Sequence, residues 1–299
     1  MNPKSYFLVG PTASGKSKIA HQLALKNNHC IVSADSMNVY KCMNIGTAKP
    51  SIKSLNEVNY YGVNNVNITD EFSVMHWKKI VSNAWANEKN IPITTGGTGL
   101  YLKCLLDGIN SKENKNSKLR EYLEALELMD LQQFVKQKDL NLYENLNSND
   151  QQNPRRLIRA IEKTQFKKNW SKEKLPFVVG VYIERNVLHE RIKNRVLKMF
   201  NNGLIEEAEK IKNFSLSQTA LQAIGYKEVF EYIDKKITKD ECIEKTIIRT
   251  RQLAKRQMTW FKNQMNVKWI DITNILKVED IVCIIEEEWR EIGPTKIKL

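Results

Sequence analysis

The sequence predicts an α/β fold in which a parallel sheet is flanked by helices and interrupted by an all-helical insertion. Three observations support this prediction. Short apolar strands alternate with amphipathic helices over residues 6–100. Strand signals then stop between about Lys112 and Lys174, where polar helical segments surround the Asn-rich stretch Asn141–Asn153. The apolar run Phe177–Ile183 restores the strand pattern and is expected to rejoin the sheet.

The first strand, Tyr6–Val9, leads through a glycine-rich loop into a helix predicted over Lys18–Lys26. The loop fits the pattern G-x-x-x-x-G-K-[ST] without a mismatch. Its predicted phosphate-binding residues are Gly10, Thr12, Ala13, Ser14, Gly15, Lys16 and Ser17. In this setting backbone N–H groups and the helix N-terminus converge on a phosphate oxyanion, so a chance turn is the weaker explanation. We expect a di- or triphosphate here, with Lys16 on its outer phosphates and Ser17 on Mg²⁺.

Two further strands place polar side chains at one edge of the predicted sheet. The strand Cys30–Ala34 is followed directly by Asp35. The strand Ile91–Thr95 runs into a Gly-Gly-Thr-Gly segment that contains Thr98. Because ligands bind at the carboxyl ends of parallel strands, Asp35 and Thr98 are expected beside the phosphate loop.

The remaining elements complete an α/β pattern on both sides of the insertion. A helix is predicted over Glu71–Asn87, with its apolar residues in the core, and others over about Asn186–Ile211 and Lys239–Lys262. A last strand, Val267–Ile270, and a closing helix, Val278–Trp289, follow. The predicted domains are therefore residues 1–110 with 176–299 as the α/β unit and residues 111–175 as the insertion. The pattern leaves open whether the insertion extends to about residue 200.

Charge and cysteine content limit the class of protein. The 299 residues carry 47 basic and 34 acidic side chains, a net charge of +13. Such an excess indicates a polyanionic partner, most often nucleic acid, although a composition rich in Lys and Asn is an alternative cause. The five cysteines form no C-x-x-C pair, which argues against a zinc site or a disulfide framework. Without a secretory signal or an apolar run of roughly 18 residues, a cytoplasmic protein with no membrane partner is expected.

The positive charge is concentrated in two segments. Arg155–Lys174 is strongly basic, and Arg155 and Arg159 lie one helical turn apart. Lys245–Lys262 contains no acidic residue, and Arg251, Lys255 and Lys262 fall on one side of a helix there, beside Trp260 and Phe261. A basic helix without acids suits a nucleic-acid backbone. The alternative is a solvated helix face, which usually carries both signs of charge.

Several of these motifs together resemble one enzyme family. The matching blocks are Gly10–Ser17, Asp35–Tyr40, Met43–Pro50, Gly96–Lys103, Pro154–Ala160, Ala223–Glu228 and Thr250–Gln257. Over nearly its whole length the chain resembles the tRNA dimethylallyltransferases, also called tRNA isopentenyltransferases. It departs from that pattern at Asn38, where the family usually has Gln, and at Asn59–Asn65.

The resemblance implies transfer of a dimethylallyl group from dimethylallyl diphosphate to N6 of the adenosine 3′-adjacent to the anticodon in tRNA. It implies Mg²⁺ as the cofactor and Asp35, Thr98 and Lys16 as catalytic residues. Asp35 would take the amine proton, while Lys16 and an arginine such as Arg251 would stabilise the departing diphosphate. Two alternatives remain: Asp35 could instead support Mg²⁺ or cap a helix, and Thr98 could be a helix N-cap.

The same resemblance implies two groups of tRNA contacts. The first, around the flipped base, consists of Asp35, Ser36, Met37, Asn38 and Thr98. The second, in the insertion, consists of Arg120, Arg155, Arg156, Leu157, Ile158 and Arg159. The arginines could also form intramolecular ion pairs instead. No protein partner is implied, and a monomer is expected.

Two other functions are compatible with parts of the sequence. A P-loop kinase for a nucleotide or small molecule would use the same loop, with the insertion as a lid over ATP. An RNA-binding protein with a regulatory nucleotide site would explain the charge. Neither explains the family blocks, and the second leaves Asp35 and Thr98 without a role. Consumption of ATP with a small acceptor would favour the kinase, and RNA binding without a product would favour the binding protein.

Overall fold

The structure, a computed structural model, describes residues 3–108, 117–164 and 175–299. The strands are β1 (Lys4–Val9), β2 (Ile31–Ala34), β3 (Tyr60–Tyr61), β4 (Ile93–Gly96), β5 (Phe177–Tyr182), β6 (Asn266–Asp271) and β7 (Thr295–Lys296). The helices are α1 (Lys16–Asn27), α2 (Ile52–Glu57), α3 (Val74–Asn87), α4 (Gly99–Asp107), α5 (Ser117–Glu124), α6 (Leu128–Lys138), α7 (Leu140–Glu144), α8 (Ser148–Gln151), α9 (Pro154–Thr164), α10 (Arg185–Asn201), α11 (Leu204–Lys212), α12 (Tyr226–Ile233), α13 (Lys239–Gln264) and α14 (Val278–Ile292).

The sheet has the order β3-β2-β4-β1-β5-β6, with neighbouring strands parallel. The short strand β7 pairs antiparallel with the start of β1. At the other end of β1, Val9 is in register with Gly96 of β4 and Gly180 of β5. The predicted parallel α/β sheet is confirmed, and the loop after β1 leaves the middle of its carboxyl edge.

The core lies between the sheet and the helices that pack against it. Helix α3 contributes Trp77 and Val81, both fully buried as their helical spacing predicted. The Trp77 indole N–H donates to the Ser33 carbonyl at 2.8 Å, and its ring stacks on Tyr101 with centroids 4.6 Å apart. The buried indole thus satisfies its polar atom while it fixes α3 and α4 against β2.

One predicted helix is divided in the structure. The pattern over residues 186–211 predicted a single helix, but α10 ends at Asn201 and α11 begins at Leu204. Gly203, which precedes α11, has a φ of +94°. This left-handed conformation is easily adopted only by glycine, and it interrupts the helix while both parts keep apolar faces in the core.

The chain divides into two compact units. One comprises Met1–Ile109 with Lys172–Leu299, and it includes α10 and α11. The other comprises Asn110–Ser171 and contains helices α5–α9. Its own core is formed by Leu123, Leu131, Val135, Leu157, Ile158 and Ile161. Within the described ranges no helix combines the length and apolarity that crossing a lipid bilayer requires.

Candidate functional site

The loop between β1 and α1 forms an anion cradle. Ala13 and Gly15 both have left-handed backbones, with φ of 64° and 88°, so successive N–H groups turn toward one concavity. A Cβ at Gly10 would lie 2.9 Å from Val181 Cγ2, which shows how closely the backbone is packed. Ser14 Oγ is buried and has no hydrogen-bond partner in the described part of the chain. A buried orphan hydroxyl at a helix N-terminus is explained by an anionic ligand.

Lys16 supplies the positive charge of this cradle. Its Nζ donates to the Pro11 carbonyl at 3.1 Å and lines the cavity described below. The pKa of Lys16 is lowered to about 8, mainly by burial. The Asp35 charge opposes this shift, and the Arg195 charge adds to it. A buried ammonium in this setting is stabilised by an incoming phosphate.

Asp35 lies where β2 ends and organises the turn that follows. Its Oδ1 accepts hydrogen bonds from the backbone N–H groups of Met37 at 2.8 Å and Asn38 at 3.4 Å. The Asp35 side chain lines the cavity and lies close enough to Lys16 and Arg195 to change their pKa values. The carboxylate and the two cations therefore belong to one electrostatic unit.

Thr98 lies beside this turn at the end of β4. Its Oγ1 accepts a hydrogen bond from the Ser36 N–H at 3.1 Å, and its own N–H donates to the Ala34 carbonyl at 3.0 Å. Thr98 occupies the N-cap position of α4, but its hydroxyl caps no N–H of that helix. A Cβ at Gly96 would lie 2.2 Å from the Ala34 carbonyl oxygen, so only glycine allows the two strand ends to approach.

The arginine beside the phosphate loop is Arg195, which the sequence analysis did not identify. Its Nη1 donates to Thr12 Oγ1 at 3.2 Å, and it lines the cavity. Burial lowers the pKa of Arg195, and the Asp35 charge opposes that shift. Arg251, which was expected here, is not among the lining residues; it lies near His189 on α10, and its Nε is buried without a partner among the described residues. The structure therefore places Arg195, and not Arg251, beside the phosphate loop.

No local signal could have identified Arg195. It lies in the middle of a long helix that also carries Arg185 and Arg191, and it matches no motif. Only the packing of α10 beside the loop after β1 distinguishes it from its neighbours. Arg251 was preferred because it belongs to a conspicuous block, yet its position on α13 turns it toward α10.

Helix α13 closes one side of the site. Gln257 Oε1 accepts a hydrogen bond from the Thr12 N–H at 2.7 Å. A Cβ at Gly97 would lie 2.2 Å from Gln257 Nε2, and one at Gly99 would lie 2.1 Å from the Trp260 ring. Glycine is required at position 99, where the rigid Trp260 ring leaves no room for a side chain, because α13 lies directly against the segment after β4. The helix thereby fixes the phosphate loop and the Thr98 segment relative to each other.

The positive charge of α13 is partly neutralised within the fold. Lys245 pairs with Glu231 of α12 at 3.1 Å, and Arg249 pairs with the buried Glu228. The acids that this segment lacks in sequence are thus supplied by the preceding helix. Arg249 and Arg256 both line the cavity, and Arg256 is exposed. Only part of the predicted basic face of α13 is therefore available to a polyanion.

The predicted arginines Arg120 and Arg156 of the second unit form intramolecular ion pairs. Arg120 pairs with Glu124 at 2.7 Å and with Glu162 at 3.4 Å. Arg156 pairs with Asp150. These contacts match the alternative considered from the sequence, and they reduce the charge that either arginine offers to a ligand.

The block around Arg155 contains two residues that the structure places in a core. Leu157 and Ile158 are buried among the apolar residues of the second unit, so their side chains are not exposed to a ligand. Arg155 and Arg159 lie on the exposed face of the same helix, α9. The sequence block 155–159 therefore includes residues from a buried and an exposed face of α9. The helical period of 3.6 residues could have separated these two faces. Residues 165–174 of the predicted basic segment lie outside the described residues.

A cavity of about 880 Å³ opens at the carboxyl edge of the sheet. Its lining includes Lys16, Ser17, Asp35, Thr98 and Arg195. The structure thus brings the predicted catalytic residues together in one concave space. That volume exceeds the requirement of a small diphosphate and leaves room for a second reactant.

Another wall of the cavity is the loop Gly46–Pro50, which is held by the half-buried Glu207 and the buried Tyr226. Glu207 accepts hydrogen bonds from the N–H groups of Asn44 at 3.0 Å and Ile45 at 2.8 Å. The Tyr226 hydroxyl donates to the same carboxylate at 2.5 Å. A Cβ at Gly46 would lie 2.4 Å from the Tyr226 ring. This wall is therefore fixed before any ligand enters.

The oxygen donors of the site suit magnesium. The Ser17 hydroxyl and the Asp35 carboxylate both line the cavity, and both are hard oxygen ligands. The described residues contain no group of three or more His, Cys, Asp or Glu side chains that could hold a metal. Magnesium needs no such group, since it takes one or two protein oxygens and completes its shell with water and phosphate.

A phosphate loop, an adjacent carboxylate and a cavity for two reactants define a P-loop enzyme that transfers a group from or to a phosphorylated ligand. Comparison with known proteins specifies the family. The family model described as IPP transferase matches residues 38–264, and the chain belongs to that family.

Individual relatives agree with this assignment. The chain is 35% identical over 303 residues to a protein of Francisella philomiragia named tRNA dimethylallyltransferase, covering 94% of this chain and 96% of that protein. It is similar to the crystal structure of a tRNA isopentenylpyrophosphate transferase from Bacillus halodurans, with a TM-score of 0.69 and 32% identity over 96% of this chain and 97% of the other. A structure from Staphylococcus epidermidis, of a tRNA delta(2)-isopentenylpyrophosphate transferase, gives the same TM-score and identity, covering 96% of this chain and all of that one.

Proposed function

We propose that this protein transfers the dimethylallyl group of dimethylallyl diphosphate to N6 of the adenosine 3′-adjacent to the anticodon in tRNA, with release of diphosphate. The observation that carries the proposal is that one cavity contains both an anion cradle and the Asp35 carboxylate. The first suits the leaving group and the second suits an amine that must lose a proton. The names of the relatives support the same substrates.

The donor diphosphate lies on the phosphate loop in this proposal. Backbone N–H groups, Lys16 and Arg195 face the charge that grows as the bond from carbon to oxygen breaks and its electrons move to the diphosphate. Ser17, with Asp35 close by, would hold Mg²⁺, which supplies further neutralisation of the diphosphate when bound. Gln257 and Arg195 fix Thr12 and so keep the loop in its binding conformation.

The acceptor adenine enters from the side of Asp35. Its exocyclic amine is a weak nucleophile because the lone pair is conjugated with the ring. As N6 forms its bond to the prenyl carbon, Asp35 accepts the N6 proton. Asn38 Oδ1 is buried in the described structure without a partner, so it can accept a hydrogen bond from the base, and Thr98 lies alongside. The base reaches this position after it is flipped out of the anticodon stack.

The second unit supplies the remaining tRNA contacts in this proposal. Arg155 and Arg159 on the exposed face of α9 suit a phosphate backbone. The net charge of +13 favours the same partner. The protein acts as a monomer in the cytoplasm, where tRNA and the donor are both available.

The test is mass spectrometry of nucleosides from an anticodon stem-loop after incubation with the protein, Mg²⁺ and dimethylallyl diphosphate. We expect an adenosine heavier by one prenyl group. Asp35→Ala should abolish it, whereas Asp280→Ala, the same change at an exposed position of α14, should not. Absence of the product with the unaltered protein, together with turnover of ATP, would refute prenyl transfer and favour a kinase.

A further inference from the structure

The Lys49 ammonium lies between three neutral oxygens, two from the stretch after β2 and one from the segment after β3. Its Nζ donates to the Tyr40 carbonyl, to Asn44 Oδ1 at 3.1 Å and to Asn64 Oδ1 at 2.6 Å. A lysine ammonium has three N–H donors, so these bonds use all of them. Burial lowers the pKa of Lys49 to about 8, although the nearby Glu207 charge opposes this shift. Burial of this charged group therefore costs free energy of folding, which its hydrogen bonds must offset.

These bonds connect Lys49 to the backbone of Asn38. Asn64, whose side chain accepts from Lys49, has a left-handed backbone with a φ of +58°. Its N–H donates to the Asn38 carbonyl at 3.1 Å, and the next N–H, of Asn65, donates to the Val39 carbonyl at 2.8 Å. The Asn64 conformation is unfavourable for most side chains and persists because its surroundings fix it.

The position of Asn38 matters because its side chain is short. Its amide lines the cavity, and its Oδ1 is a buried acceptor without a partner among the described residues. An asparagine side chain has only two rotatable bonds, so its reach is determined by the backbone that carries it. A small displacement of that backbone would move the amide out of hydrogen-bond distance of a base.

We propose that Lys49 is a positioning residue for the nucleobase acceptor, acting through Asn64 on the backbone of Asn38. The proposal rests on the proposed function, since it needs a base in the cavity. None of the three Lys49 bonds involves the phosphate loop. Loss of Lys49 should therefore weaken use of tRNA and leave use of the diphosphate donor nearly unchanged.

The first experiment compares Lys49→Met with Lys41→Met in steady-state prenylation of the stem-loop. Lys41 is an exposed lysine of the same segment, so this control removes the same charge. We expect Lys49→Met to raise KM for the stem-loop about tenfold, which corresponds to about 1.4 kcal/mol, with KM for dimethylallyl diphosphate within about twofold. Lys41→Met should match the unaltered protein.

A second set of variants separates positioning from direct contact with tRNA. Lys49→Arg keeps the charge but cannot place three short N–H bonds on the same oxygens, so it should behave like Lys49→Met. Asn64→Ala should raise the same KM, and the double variant Lys49→Met with Asn64→Ala should be no worse than either single change. A direct phosphate contact would instead be retained by arginine, and its removal would lower the salt dependence of binding by about 0.7–0.9 in log–log slope.

Each outcome decides the proposal. Equal stem-loop KM values for Lys49→Met and Lys41→Met would overturn it. A stem-loop KM for Lys49→Arg equal to that of the unaltered protein would also overturn it, as would effects of Lys49→Met and Asn64→Ala on this KM that add in the double variant. If Lys49→Met fails to fold, Asn64→Ala alone must raise the stem-loop KM, and an unchanged value overturns the proposal. Absence of any prenylated product with the unaltered protein would refute the proposed function itself, a result distinct from all of these.

Discussion

At the scale of single residues, the site depends on charges that the fold buries together. Lys16, Asp35 and Arg195 come from α1, the end of β2 and α10; the Asp35 charge favours the charged form of both cations, and Arg195 lowers the pKa of Lys16. The carboxylate is the only one of the three that can accept a proton from an amine. The two cations suit a departing anion.

Arg195 and Arg251 provide a matched comparison at this scale. Arg195→Ala should lower kcat/KM by about 10²–10³, because it removes a donor aimed at the charge of the transition state. Arg251→Ala should cause less than about a tenfold loss, since Arg251 does not line the cavity. Steady-state kinetics with the donor varied would measure both effects. Equal losses for the two variants would contradict the assignment of Arg195 to the diphosphate.

Prediction from sequence succeeded here where one motif fixes the geometry. The phosphate loop and the strand ends at Asp35 and Thr98 follow from local pattern and from the topology of parallel sheets. Arg195 could not be predicted, because its position beside the phosphate loop arises from the packing of α10. The burial of the Leu157 and Ile158 side chains was not anticipated, because a contiguous block of sequence was treated as one surface of a helix.

At the scale of elements, two helices determine the precision of the site. Helix α13 lies against the segment after β4, where glycines leave room for Gln257 and Trp260. Helix α1 carries the phosphate loop and packs against α14. The alternation of strands and helices was predictable, but α2 and the two-residue strands were not. Such short elements have too few residues to show a hydrophobic period. The break between α10 and α11 was not predictable either, because it depends on the φ angle of the single residue Gly203.

Gly99→Ala should destabilise the protein by about 1–3 kcal/mol, because the new methyl group would overlap the Trp260 ring. Adding Trp260→Ala should restore part of this loss, since it removes the overlap. Urea denaturation of the two single variants and the double variant would measure the coupling. Strictly additive free energies of unfolding would show that the two positions do not compete for space.

The contact between α1 and α14 predicts a dependence of stability on pH. Although burial opposes the charge on Glu286, hydrogen bonds from Asn27 and Lys26 lower the pKa of this carboxyl below its ordinary value of 4.5. A lowered folded-state pKa contributes stability above pH 4.5 that is lost as the pH falls through the folded value.

Glu286→Gln should therefore destabilise the protein at pH 7 by about 1 kcal/mol, a value reduced by the exposure of Lys26. The difference between the variant and the unaltered protein should shrink below pH 4.5. Denaturation at a series of pH values would measure it. A difference that stayed constant down to acidic pH would show that the Glu286 charge does not contribute.

At the scale of the whole molecule, the excess of positive charge is unevenly available. Several cations are engaged within the fold, including Arg120 in the second unit and Lys245 and Arg249 on α13. The total charge was predictable from composition, but most of the internal pairing was not, because Glu162, Glu228 and Glu231 come from other helices. The charge that remains exposed is what a polyanion meets.

Arg159→Ala should weaken tRNA binding and lower the log–log salt slope by about 0.7–0.9, because Arg159 lies on the exposed face of α9. Arg120→Ala should change the slope less, since Arg120 is paired with two glutamates. Fluorescence anisotropy of a labelled tRNA over a range of salt concentrations would compare them. A larger slope change for Arg120→Ala than for Arg159→Ala would show that Arg120, and not Arg159, makes the phosphate contact.

The strand order also determines when the protein can fold during synthesis. The central strand β1 has β4 on one side and β5 on the other, and the whole of Asn110–Ser171 is translated between them. At about 5–20 residues per second, the nascent chain waits several seconds with one edge of its central strand unpaired. Such an edge is a site for aggregation on crowded ribosomes. The speed of translation through the second unit therefore bears directly on how much of the first unit reaches its native sheet.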